Sequence, residues 1–104
     1  MDDATYRLAF QIILHAGNSK SKSMMAMQKA REGDILEATN LVVQANEDLN
    51  EAHLIQTALS QAEISGNPVD INIIMVHAQD HLGMAMVMRE VANEIIHIYK
   101  TFTK

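Results

Sequence analysis

In 104 residues this chain offers only two places where a helix must stop. At Arg31-Glu32-Gly33-Asp34, Gly33 suits a helix end and Asp34 can cap a following helix, with Glu37 at the spacing of a capping box. At Ser65-Gly66-Asn67-Pro68, a C-cap glycine precedes a proline that cannot continue a helix, and Asp70 is a further candidate cap. The segments between these breaks predict helices over roughly 4–31, 35–64 and 69–102. In the first, Ala9, Ile12, Ile13, Ala16, Met27 and Ala30 recur at helical spacing. In the second, Ala38, Leu41, Val42, Ala45, Leu49, Ala52, Ile55, Leu59 and Ala62 do so. Gly17-Asn18-Ser19-Lys20-Ser21 weakens the first helix locally, but the apolar stripe stays in phase across it and the segment reads as continuous. One Pro, four Gly, no Trp and eight Met agree with an all-α chain of three long antiparallel helices.

The length allows one domain, residues 1–104, and a hydrophobic share of 48% makes it a folding chain, not a disordered tail. A net charge of −5 argues against a nucleic-acid partner, which calls for a basic face. Without cysteine there are no disulfides, thiolate metal sites or Cys nucleophiles. The acidic start Met1-Asp2-Asp3 lacks signal-peptide character, and no run of apolar residues is long enough to span a bilayer, so a cytoplasmic location is expected.

The third segment carries two apolar seams. Ile71, Ile74, Ala78, His81, Ala85, Met88, Ala92, Ile95, Tyr99 and Phe102 follow one three-and-four alternation. Ile73, His77, Asp80, Met84, Val87, Val91, Glu94 and Ile98 follow another. A three-helix bundle buries one such seam, so the second is expected to pack against another copy of the chain. Helices of about 30 residues, about 45 Å long at 1.5 Å per residue, also make a thin, core-poor monomer. An oligomeric bundle follows.

Within those seams lies a polar island, Met75-Val76-His77-Ala78-Gln79-Asp80-His81-Leu82, in which helical spacing puts His77, Asp80 and His81 on one face. Zinc chemistry would use His77 and His81 at i, i+4, yet Asp is a methylene short of the inverted His-x-x-Glu-His pattern and a three-helix chain offers no peptide cleft. A di-iron bundle needs the Glu-x-x-His motif twice with two further glutamates, and Glu94-Ile-Ile-His97 supplies it once. In phosphohistidine chemistry, neutral imidazole is a good nucleophile near pH 7. His77 would accept the phosphoryl group, with His81 and Gln79 as nearby donors. On spacing alone, a cluster that merely satisfies itself inside a bundle is an equal alternative.

These residues also resemble a family. Met75 through Leu82 is similar to the signature of IIA proteins of the lactose/cellobiose family of the phosphoenolpyruvate-dependent sugar phosphotransferase system. Further matches are Phe10-Gln-Ile-Ile, His15-Ala-Gly17, Glu51-Ala-His53, Gln56-Thr57, Arg89-Glu90 and Tyr99-Lys100. The resemblance implies that His77 receives phosphate from the phosphocarrier protein HPr and passes it to a IIB component. The sugar would be a β-linked disaccharide, closer to cellobiose or chitobiose than to lactose, and the membrane would be met only through the IIC permease. It further implies a homotrimeric nine-helix bundle, with Asp80 of three copies sharing a divalent cation at the axis. Up to six carboxylate oxygens there would suit Mg²⁺.

Gly83 and Ala85 depart from the family pattern, which has a methionine and a small hydroxyl residue there. Lys20, Lys22, Lys29 and Arg31 read as a solvated face, and His15, His53 and His97 as boundary or surface residues. The rival from another class is a non-catalytic, metal-clamped helical trimer.

Overall fold

A computed structural model describes residues 3–102. They form three helices, α1 (Asp3–Arg31), α2 (Ile35–Ile64) and α3 (Ile73–Phe102), in a rod of 55 × 20 × 17 Å. No strand occurs among the described residues, as the sequence predicts.

Both predicted breaks are Schellman ends. Gly33 and Gly66 take φ of +90° and +84°, the left-handed region that a side chain would strain. Gly33 N–H bonds to the Ala30 carbonyl and Asp34 N–H to that of Lys29; Gly66 and Asn67 repeat the pattern on Glu63 and Ala62. Asp34 caps α2 by accepting from Glu37 N–H at 3.1 Å. The reciprocal arm of the expected capping box cannot form, because the Asp34 N–H is already committed to Lys29.

The start of α3 lies four residues later than expected. Asn72, not Asp70, is the cap: its Oδ1 accepts from the N–H groups of Ile74 and Met75 at 3.0 and 3.1 Å. Val69 packs against the core from the connecting segment, so an apolar residue in helical phase lies outside the helix.

The helix α1 packs along both α2 and α3, which touch each other far less. Its inner stripe is built for close approach: Ala9, Ala16, Ser19, Ser23 and Ala26 are fully buried. Ser19 and Ser23 come from and just beyond the stretch read as a weak spot. Their hydroxyls have no hydrogen-bond partner, so size is what fits them there.

Two apolar clusters result. One joins Ile12, Leu49, Leu59, Met75 and Leu82 with intervening alanines, and the other joins Leu41, Val42 and Ile96 with theirs. Between them, polar links cross the bundle. Lys22 meets Asp48 at 2.7 Å and Arg89 Nη1 donates to Asn46 Oδ1 at 3.0 Å. Lys22 is thus tied to α2, in contrast to the solvated face expected of it.

Replacing the α3 cap, Asn72→Ala, should lower stability by about 1 kcal/mol with little loss of helicity. Urea unfolding at fixed protein concentration, followed by circular dichroism, measures it.

Candidate functional site

The helix α3 buries one stripe, rotated from the first predicted seam toward Met75, Leu82 and Ile96. On the first, Ala78, Ala85 and Ala92 are buried, joined by Met75, Leu82 and Ile96, while Ile74, His81, Met88, Ile95 and Tyr99 are half-buried. Ile71 and Phe102, at or beyond the helix ends, stay exposed. The second seam is uncovered by the chain's own helices: Ile73 is 78% exposed, Val87 60%, and Met84, Val91 and Ile98 each more than 40%. So many large apolar side chains exposed along one seam mark an interaction surface. Gly83 is also exposed, and a Cβ added there would meet nothing within 4 Å. Packing inside one chain therefore does not require glycine at that position.

The polar island sits toward the N-terminal end of this face. His77 is exposed and His81 half-buried. Their Nε2 atoms lie 3.1 Å apart, with the rings at 89° to each other and centroids 4.4 Å apart. A nitrogen–nitrogen contact of this length needs one N–H and one lone pair. When both rings are neutral, one therefore carries its proton on Nε2 and the other on Nδ1. The Nε2 lone pair of the acceptor ring faces the donor's N–H, and it becomes a free nucleophile when that N–H turns to another acceptor.

Asp80 is exposed on the same helix a turn away from His77. Gln79 lies about 200° round the helix from His77, and helical arithmetic alone separates the two. Its amide reaches Met75 Sδ at 3.7 Å in a cleft of about 450 Å³ between α2 and α3, which Gln56, Leu59, Ile64 and Val69 also line. Nothing in the sequence pattern signalled that cleft.

Among the described residues, no three His, Asp or Glu side chains of one chain are grouped to hold a metal ion. The single Glu94-x-x-His97 motif lies exposed on α3. A cation on Asp80 would need carboxylates from other copies. His53 is exposed, and His15 is half-buried with an enclosed, unpartnered Nδ1.

The family described as "PTS system, Lactose/Cellobiose specific IIA subunit" matches residues 7–100. The chain belongs to this IIA family. It is 42% identical over 104 residues to the lichenan-specific phosphotransferase enzyme IIA component of Bacillus subtilis, covering all of this chain and 94% of that one. The crystal structure of the cellobiose-specific enzyme IIA from Bacillus anthracis superposes with a TM-score of 0.92 at 42% identity, over 97% of this chain and 92% of that one. The solution structure of the IIA(Chitobiose)–HPr complex of Escherichia coli gives 0.82 at 28% identity, over the full length of both chains. This IIA chain is accordingly a phosphotransferase-system component. No described helix is long and apolar enough to cross a membrane.

The imidazole contact has a direct spectroscopic consequence. Long-range ¹H–¹⁵N correlation spectra above the titration range should show opposite tautomers for His77 and His81. Two rings both protonated on Nδ1 would contradict the 3.1 Å contact.

Proposed function

We propose that His77 of this IIA chain accepts a phosphoryl group on Nε2 from HPr and passes it to a IIB component, serving uptake of a β-linked disaccharide of the cellobiose or chitobiose kind. The observation that carries this reading is an exposed imidazole, His77, whose Nε2 lies 3.1 Å from that of a second imidazole on a face rich in exposed apolar side chains. Relatives named for lichenan, cellobiose and chitobiose support the sugar class, and the HPr complex of the chitobiose relative supports the donor.

The chemistry is phosphoryl transfer onto and off an imidazole nitrogen. The Nε2 lone pair of His77 attacks phosphorus in line while the donor's P–N bond breaks, and the His77 proton stays on Nδ1. That tautomer requires His81 to present Nε2–H, which then donates to a phosphoryl oxygen as negative charge gathers there. In transfer to the IIB component, a nucleophile of that protein attacks phosphorus while the P–N bond to His77 breaks. The sugar never touches this chain, which works on the cytoplasmic side of the membrane. Gln79, turned toward Met75, is assigned no part.

The uncovered seam of α3 is the surface on which three copies associate. Asp80, an exposed carboxylate on a helix face otherwise rich in Ile, Met and Val, would meet its counterparts at the axis. Three such charges in a poorly solvated interior repel unless a cation or shared protons intervene. The oxygen-only donor set fits a hard ion such as Mg²⁺.

His77→Ala should abolish labelling from phosphoenolpyruvate, enzyme I and HPr while leaving helicity intact. Acid-labile, base-stable label still present at full stoichiometry would move the acceptor elsewhere. His81→Ala should slow transfer about 10²–10³-fold without abolishing it, the range for a positioned donor. An unchanged rate in rapid-quench experiments would return His81 to a packing role.

Asp80→Leu should leave the assembly no less stable and free of metal dependence. Thermal melts with and without chelator should shift for the wild type and coincide for the variant. A variant melt that still shifts with chelator would place the cation elsewhere.

A further inference from the structure

We propose that His77 and His81 form a bidentate site for a borderline divalent transition metal of the zinc class, and that this ion competes with the phosphoryl group for Nε2 of His77. The competition rests on the phosphocarrier reading above; the metal site itself rests on geometry. Two nitrogens each about 2.0–2.1 Å from one zinc ion lie about 3.3 Å apart at a tetrahedral angle and about 2.9 Å apart at a right angle. The observed Nε2–Nε2 separation of 3.1 Å falls between these limits, so the two donors are spaced to chelate one ion.

In the metal-free pair the two nitrogens are joined by a single N–H···N hydrogen bond. From the neutral pair, the ring that holds its proton on Nε2 gives it up to solvent and takes one on Nδ1, so that both rings are Nδ1–H tautomers with a lone pair on Nε2. Two N–metal bonds then form with no net release of protons. Imidazole nitrogen favours zinc, nickel and copper, whereas Mg²⁺ prefers oxygen. With no third His, Asp or Glu of the same chain grouped there, water completes the shell, and the ion stays exchangeable. The exposure of His77 that lets a protein donor reach it also lets an aqueous ion reach it. A bound ion occupies the lone pair that phosphoryl transfer uses, so metal and phosphate exclude each other on the same nitrogen.

Tag-free protein, stripped with chelator and dialysed, is titrated calorimetrically with ZnCl₂ in excess Mg²⁺. One zinc per chain should bind saturably. His77→Ala and His81→Ala should each weaken binding about ten-fold or more, since even groups outside the coordination shell contribute about 10–100-fold to metal affinity. His53→Ala and His97→Ala should leave it unchanged. Absence of saturable binding, or binding that survives both His77→Ala and His81→Ala, would overturn the site.

Single-turnover transfer from purified phospho-HPr should slow at least ten-fold when the sites are filled, and recover on adding chelator. An unaffected rate with zinc bound would overturn the competition. If the zinc-free protein takes no label at all, the phosphocarrier reading fails, and the titration still decides the metal site.

Discussion

A long helix with two apolar faces cannot be satisfied by two neighbouring helices, and this imbalance governs the rest of the molecule. The face of α3 built on Ala78, Leu82, Ala85 and Ala92 is sealed by α1 and, less extensively, by α2. The opposite face, with Ile73, Met84, Val87, Val91 and Ile98, stays exposed in the single chain. At roughly 25 cal/mol per Å² of apolar surface, covering such a face gives a driving force for association that a thin rod of 55 × 20 × 17 Å cannot supply internally. The imidazole pair lies along this same helix.

The inner face explains how so slender a bundle holds its register. Alanine and serine on α1 bring the backbones close, so the core is made by proximity more than by large side chains. Large residues are confined to two clusters, and Lys22–Asp48 and Arg89–Asn46 bridge the helices between them. Shifting one helix against another by a turn would break these polar links as well as the packing. A rigid α3 in turn fixes the i, i+4 geometry that brings the two Nε2 atoms within hydrogen-bonding distance.

Most of this was legible in the sequence because helices announce themselves by period and by their ends. Gly33 and Gly66 are strong signals since each needs positive φ, and both adopt it. The start of α3 was less legible because Asp70 and Asn72 are both competent caps and Val69 continues the apolar phase while packing from outside the helix. The serines of α1 looked like weakness, since propensity does not register the advantage of a small side chain at a crowded contact. Lys22 looked solvated because its partner is 26 residues away and long-range ion pairs leave no periodic trace. His77, Asp80 and His81 were readable as one face, whereas Gln79, although between them in sequence, belongs to the α2–α3 cleft. The family resemblance supplied what spacing could not, a reason to propose phosphoryl transfer over the other chemistries open to an imidazole pair.

The assignment of the uncovered seam to self-association is tested most directly by sedimentation equilibrium of the unmodified protein in Mg²⁺ at micromolar concentration. A mass of three chains is the expected result, with Val87→Glu, placed in the middle of the uncovered seam, shifting it toward one. A single-chain mass for the unmodified protein, or a trimer indifferent to a charge at Val87, would contradict the assignment of this face to self-association.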